Sequence, residues 1–221
     1  MMKIGILGAG HMSKALGCRW IELGHEVMIS GRTASKASQL AASLGDKAQA
    51  GSFREAVAFG DTVLLAVRYE GVLKTLLEAG GSGGAFIGKT IIDCNNAVET
   101  DAFTMAVPGA WSLAELIAST AAGASVVKAF HLCQASVWTM APPRFDGRAL
   151  TVPICGNEHA AKSGVADLIH QMGCQALDLG PLIQARNLEP MAAVIIKLLF
   201  SGAHPSTNFN LVDAVSPGTR E

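Results

Sequence analysis

The first thirteen residues, Met1 to Ser13, restrict the fold more than any other stretch of the chain. Ile4, Ile6 and Leu7 form a short apolar run, Gly8 and Gly10 follow at once, and an amphipathic helical pattern begins near Met12. Strand, tight glycine turn and helix together make the phosphate-cradling unit of dinucleotide-binding folds. Gly8 permits the turn, and Gly10 lets the backbone approach a pyrophosphate. The helix N-terminus offers free N–H donors and a partial positive charge. On this reading Gly8, Ala9, Gly10, His11, Met12 and Ser13 bind the pyrophosphate. Ser13 stands where a third glycine is usual. It is small enough for close helix–strand packing, and its hydroxyl is able to donate to a phosphate.

The next strand, Glu26–Ser30, ends where a dinucleotide site often carries an acid for the ribose 2′-hydroxyl. No Asp or Glu occurs between Val27 and Gly45; the strand runs instead into Ser30, Gly31, Arg32, Thr33 and Lys36. A carboxylate there repels a 2′-phosphate, whereas a guanidinium and hydroxyls bind one. The pattern predicts NADP as cofactor, with these five residues around its adenosine end.

Apolar runs at Lys3–Gly8, Glu26–Ser30, Ala48–Ala50, Thr62–Val67, Thr90–Asn95 and Ser125–Phe130 alternate with helical patterns near 12–23, 34–44, 52–59, 70–79 and 111–121. This alternation predicts an α/β fold, a doubly wound parallel sheet of the Rossmann type. The texture changes after Pro142-Pro143. A strand over Ala149–Cys155, a helix over Glu158–Met172, a strand over Cys174–Leu179 and a long apolar helix over Leu182–Phe200 predict a smaller C-terminal α/β lobe. The expected division is 1–140 for the dinucleotide-binding domain, 141–203 for the lobe and 204–221 for a polar, extended tail. Gly80 to Gly84 reads as a flexible, solvent-facing loop.

The formal net charge of −1, with scattered Lys and Arg, gives no footprint for nucleic acid. No run reaches the ~20 apolar residues of a membrane span, and no signal-peptide layout opens the chain. Five dispersed cysteines without C-x-x-C spacing suggest reduced thiols in a cytoplasmic protein. The His residues are equally dispersed, so no metal site is expected. Hydrophobic residues make up 50% of the chain, and Leu182–Phe200 is apolar on more than one side, which predicts a homodimer through that helix.

Several further segments occur in a fixed order: Val127-Lys128-Ala129-Phe130, Phe145-Asp146-Gly147-Arg148, Asp178-Leu179-Gly180-Pro181-Leu182 and Ala185-Arg186-Asn187-Leu188-Glu189-Pro190. With the glycine turn and Ser30-Gly31-Arg32, they make residues 2–200 resemble the NADPH:deazaflavin (coenzyme F-420) oxidoreductases and their relatives, including the NADPH-binding domains of metalloreductases. The resemblance implies hydride transfer between NADP(H) and a flavin-like or deazaflavin small molecule. The chain departs from that pattern with Arg68 after Val67 and with His131-Leu132 after Phe130.

Ligands of such sheets lie outside the carboxyl ends of the strands. Those ends supply Ala66 and Val67 near the dinucleotide bridge, Arg68 for a phosphate or an anionic acceptor, and Asn95 and Asn96 for the nicotinamide carboxamide. His131 is the catalytic candidate, as a titratable donor to the acceptor ring. Gly180, Pro181 and Leu182 are expected to wall the acceptor against those ends. A reductase of imines or other small molecules, and a non-enzymatic NADPH sensor, are the rival functions.

Overall fold

The computed structural model describes residues 1–202 apart from Thr100 and Pro108. The tail expected over 204–221 lies outside the described residues. Twelve strands occur in chain order. They are β1 Lys3–Leu7, β2 Glu26–Ser30, β3 Ala48–Gly51, β4 Thr62–Leu65, β5 Thr90–Asp93, β6 Val98–Glu99, β7 Thr104–Met105, β8 Ser125–Lys128, β9 Arg144–Phe145, β10 Arg148–Ala149, β11 Thr151–Gly156 and β12 Gln175–Asp178. The helices are α1 His11–Glu22, α2 Ala34–Leu44, α3 Phe53–Phe59, α4 Val72–Glu78, α5 Leu113–Thr120, α6 Ala135–Trp138, α7 His159–Gln171 and α8 Ala185–Phe200.

Eight strands form one sheet in the order β12-β11-β8-β5-β4-β1-β2-β3. Every neighbouring pair is parallel except β8 and β11. The fold is thus the expected doubly wound α/β sheet, and its smaller C-terminal lobe continues the sheet by two strands. Successive residues of a strand face opposite sides, and two cores result. Ile4, Ile6, Ile29, Leu64, Ile92 and Val127 pack with α1, α2, α6 and α7 on one face. Val63, Leu65, Ile91 and Val126 pack with α3, α4, α5 and α8 on the other. Glycine sets the closest approach between layers: a Cβ built on Gly5 of β1 would lie 2.0 Å from the carbonyl oxygen of Ala56 in α3.

Three features depart from the sequence expectation. Gly80–Gly84 faces solvent at Ser82 and Gly83 but not at its start. Gly80 and Gly81 are buried, and a Cβ on Gly81 would meet the carbonyl oxygens of Leu76 and Thr120 at 2.9 and 3.0 Å. Gly81 closes the seam between α4 and α5. The Phe145-Asp146-Gly147-Arg148 segment is a two-residue hairpin between β9 and β10 with Asp146 and Gly147 at φ 50° and 75°. Asp-Gly suits such a turn because both central residues need positive φ. The short β6–β7 hairpin, placed directly after β5, had no readable alternation in its two-residue strands.

The lobes are joined by a buried imidazole. The Met2 amide donates to His25 Nδ1 at 3.1 Å, so Nε2 carries the proton and donates to Gln171 Oε1 of α7 at 2.9 Å. Along α8, Ala185, Leu188, Glu189, Ala192 and Ala193 are buried, while Met191, Val194, Leu199 and Phe200 remain exposed. Among the described residues no helix is long and apolar enough to cross a membrane.

Candidate functional site

All parallel strands from β3 to β8 end on the same edge of the sheet, and the turns leaving them gather most of the expected residues. Gly8 has φ 130°, and its amide donates to the Ser30 carbonyl at 2.9 Å. A Cβ there would stand 2.1 Å from the Ala66 carbonyl oxygen, so glycine is required by β4 as much as by the turn. Gly10 is the N-cap of α1, and a Cβ there would enter open space. It brings no side-chain cap, and the first turn holds no acid. The amides of His11, Met12 and Ser13 therefore face outward as donors for an anion. Ser13 departs from its expected role in part. Its side chain is fully buried beneath Gly8, and Oγ has no protein partner. Its position packs α1 against the turn.

The second helix N-terminus repeats this arrangement. Thr33 caps α2 without a side-chain bond, and the first turn again holds no acid. Arg32, Thr33 and Lys36 are exposed around it. Beside it lies a cavity of about 520 Å³ lined by Gly31, Arg32, Ser38, Gly51, Ser52 and Glu78 among others. Ser30 does not take part as expected: it is fully buried, and its hydroxyl donates to the Ile6 carbonyl at 2.8 Å. A hydroxyl spent on a strand carbonyl is not a phosphate donor. Glu78 went unnoticed in the sequence because α4 brings it to this cavity from 48 residues beyond Ser30.

Across β4, β5 and β8 the ends carry Ala66 and Val67, half-buried, and Arg68, exposed. Asn95 is largely spent inside the protein: Nδ2 donates to the Leu65 carbonyl at 2.8 Å and to Asp93 Oδ1 at 2.9 Å. Asn96 is freer. Its Nδ2 donates to the His131 carbonyl at 2.7 Å, and its Oδ1 is buried without a partner. The His131 ring is 5% exposed, and neither nitrogen makes a well-formed hydrogen bond, although the Leu188 backbone lies close enough to act on the ring. Phe130, at φ 61°, fixes this turn by edge contacts with Trp20 and Trp138. Burial, and then the nearby Lys128 ammonium, hold His131 well below the usual imidazole range, so it is neutral at pH 7.

Beneath these residues lies a charged cluster that no spacing signalled. Lys128 Nζ donates to Asp93 Oδ2 at 2.9 Å, to Glu189 Oε1 at 2.9 Å and to the Asn95 carbonyl at 2.5 Å. All three side chains are buried. Glu189 also accepts from the Leu113 and Ala114 amides at the start of α5. Arg186 makes a two-bond pair with Glu115 on the same helix, at 2.9 and 2.7 Å. The Arg186 hydrogen bond draws the Glu115 carboxyl down to about 2. The Ala185–Pro190 segment thus fastens α8 to α5 and to the strand ends.

The segment expected to wall the acceptor follows β12. Because β11 runs against β8, its carboxyl end and that of β12 point toward the opposite edge of the sheet. Gly156, opposite Val127, donates to the Gly180 carbonyl at 3.1 Å. Gly180 therefore lies level with Val127, near the end of β8, and Leu182 is buried in the α5–α8 core. All five cysteines are free, and burial pushes the Cys94 thiol up to about 12. Among the described residues no cluster of three or more His, Cys, Asp or Glu is placed to hold a metal.

Comparison with known proteins places this geometry among nicotinamide-dependent reductases. The family model for NADP oxidoreductase, coenzyme F420-dependent, matches residues 3–97. The F420-dependent NADP reductase of Methanocaldococcus jannaschii is 28% identical over 210 residues, covering 89% of this chain and 92% of that protein. A crystal structure from Arthrobacter sp. FB24, assigned as an F420-dependent NADP-reductase, superposes with a TM-score of 0.79 at 28% identity, over 92% of this chain and 96% of that one. Metalloreductase STEAP3 of Rattus norvegicus is 32% identical over 205 residues. That match takes in 92% of this chain, which spans 38% of the metalloreductase.

Proposed function

Because the chain belongs to the F420-dependent NADP(H) oxidoreductase-like family, we propose that it transfers a hydride between NADP(H) and a flat, flavin-like or deazaflavin acceptor. The observation that carries this reading is the pair of uncapped, acid-free helix N-termini on one sheet edge, with Gly10 open at the first and Arg32 and Lys36 beside the second. The α1 amides take the pyrophosphate. Arg32, Thr33, Lys36 and the start of α2 take the 2′-phosphate. Asn96 Oδ1 accepts from the nicotinamide carboxamide, and Ala66, Val67 and Arg68 border the bridge between the two halves. When bound, the cofactor supplies the hydride. Residues 1–140 carry the cofactor in this division, and 141–203 the acceptor side and a contact with a second copy.

His131 is a neutral hydrogen-bonding group in this site and does not act as an acid. Hydride transfer between stacked rings needs alignment more than proton delivery, which favours a ring acceptor over an imine. The test is NADPH oxidation at pH 6, 7 and 8 with riboflavin, flavin mononucleotide, a 5-deazaflavin, a quinone, a ferric chelate and a cyclic imine. Oxidation is expected with the flavin-type rings, at a rate flat across these pH values. Turnover with the imine alone, rising toward acid, would overturn the reading. Binding of NADPH without turnover of any acceptor would indicate a sensor.

The exposed side of α8 supports the proposed homodimer. Light scattering at micromolar concentration is expected to give twice the chain mass of 22.9 kDa; a monomer mass would leave that face without this role.

A further inference from the structure

Lys128 and Asp93 are register partners at the carboxyl ends of two adjacent parallel strands, β8 and β5. Register partners project to the same face of a sheet, and here that face is covered by α5 and α8. Glu189 of α8 completes the buried group. An ammonium has three N–H donors, and each of these has its own acceptor: Asp93, Glu189 and the Asn95 carbonyl. The two carboxylates balance the charge. The third bond goes to a neutral backbone oxygen, which charge balance does not require.

That oxygen belongs to a residue held on every side. Asp93 Oδ1 accepts from the Asn95 backbone amide and from Asn95 Nδ2, both at 2.9 Å. Nδ2 also donates to the Leu65 carbonyl. The peptide bond is planar, so the bond from Lys128 to the Asn95 carbonyl fixes the plane that carries the Asn96 nitrogen. Asn96 in turn donates to the His131 carbonyl, three residues past Lys128, and keeps a buried Oδ1 without a partner. The turns that leave β5 and β8 are thus tied twice, by Lys128 at the root and by Asn96 beyond it. A buried acceptor without a donor calls for one from outside the chain, and the amide N–H of a carboxamide fits it.

We propose that Lys128 is a positioning residue for the cofactor: by holding the Asn95 carbonyl it aims Asn96 Oδ1 at the nicotinamide carboxamide and so fixes the orientation of the ring. The proposal rests on the reading that Asn96 receives that carboxamide. Lys128 is fully buried and its three donors are spent, so it acts through Asn95 and Asn96 and not by contact. Without the ammonium, the Asn95–Asn96 plane is free to turn, and the carboxamide loses its single orientation. The contacts of the adenosine half at α1 and α2 lie outside this chain of bonds. The loss therefore falls on the ring. Misalignment of a reacting group costs its reaction more than its binding.

The probes are NADPH and 2′,5′-ADP, and the reporter is the emission of the reduced nicotinamide, which rises when the ring is held still. The wild type should show that rise. Lys128→Met removes the ammonium at similar length. Lys128→Met combined with Glu189→Gln also removes one of the carboxylates left unpaired, and serves where the single variant does not fold. Glu189→Gln alone disturbs the same buried group but leaves Lys128 on Asn95. At saturating NADPH, the Lys128 variants should lose most of the emission gain and reduce a flavin-type ring about 30-fold more slowly in a single turnover, with 2′,5′-ADP affinity within about twofold by calorimetry. Glu189→Gln should lose some stability in urea and keep the emission gain. Lower stability with wild-type emission and turnover in the folded Lys128 variants would overturn the proposal, as would the absence of any gain in the wild type. Asn96→Ala separates the two readings. Loss of the gain in Asn96→Ala but not in the Lys128 variants would remove the role of Lys128 and leave Asn96 at the carboxamide. A full gain in Asn96→Ala would remove both. Flavin reduction by the wild type tests the proposed function independently of either.

Discussion

Replacement of Glu189 by alanine is expected to lower folding stability by about 3–5 kcal/mol, the usual cost of removing one partner from a buried ion pair. The magnitude follows from what is left behind. Lys128 stays buried with Asp93 as its remaining counter-ion, and the Leu113 and Ala114 amides lose their acceptor. A buried unpaired donor alone costs about 1–3 kcal/mol. Burial pulls the Lys128 ammonium down, but Asp93 and Glu189 outweigh it, and its pKa is raised. Stability from a raised lysine is fully present below its unfolded value of about 10.4 and is lost as pH rises through the folded one. A urea titration at pH 7 therefore reads the whole effect. Glu189→Gln keeps an acceptor for the amides and should cost less. A loss under about 1 kcal/mol for Glu189→Ala would mean that water reaches the cluster.

The same cluster marks the limit of what the residue order reveals. The glycine turn, the missing acid after β2 and the alternation of strands and helices were readable because each is local: one turn, one strand end, one period. Buried polar pairings are not local. Ser30 stands by spacing where a phosphate donor is expected, yet its buried side chain points where the sheet directs it, to the Ile6 carbonyl. Asn95 and Asn96 are neighbours in sequence, but Asn95 spends its amide nitrogen on Leu65 and Asp93, while Asn96 keeps a buried oxygen without a partner. Gly180 to Leu182 was placed at the strand ends because the β11–β12 unit was read as a separate lobe. One antiparallel pairing, β8 with β11, reverses the direction of that unit, and no local pattern signals it. The Ala185–Pro190 segment was recognised as a specific motif without its physical reason. That reason is now visible in Arg186 with Glu115 and Glu189 with Lys128, pairs separated by 71 and 61 residues.

NADPH is expected to bind at least tenfold more tightly than NADH, and Arg32→Ala should remove most of that margin. A charge-assisted contact to a phosphate contributes roughly 1.5–3 kcal/mol, or about 10- to 100-fold in affinity. Arg32 stands exposed on the rim of the cavity, beside the uncapped start of α2. In the proposed site Lys36 and Thr33 share the anion, so the variant should retain some preference. Glu78 lines the same cavity and opposes the phosphate. Its carboxylate is about half-exposed and faces Lys74 at 3.8 Å. In water-like surroundings its repulsion is about 1 kcal/mol or less, and salt screens it further; the arginine contact outweighs it. Ser30→Ala separates this account from one based on spacing alone. Its hydroxyl is committed to Ile6, so NADPH affinity should not change, although stability falls slightly. Calorimetry with NADPH, NADH and 2′,5′-ADP checks each statement. Equal affinity of the wild type for the two cofactors would sink the assignment of this cavity to the 2′-phosphate, as would an Arg32→Ala variant that weakens both cofactors alike.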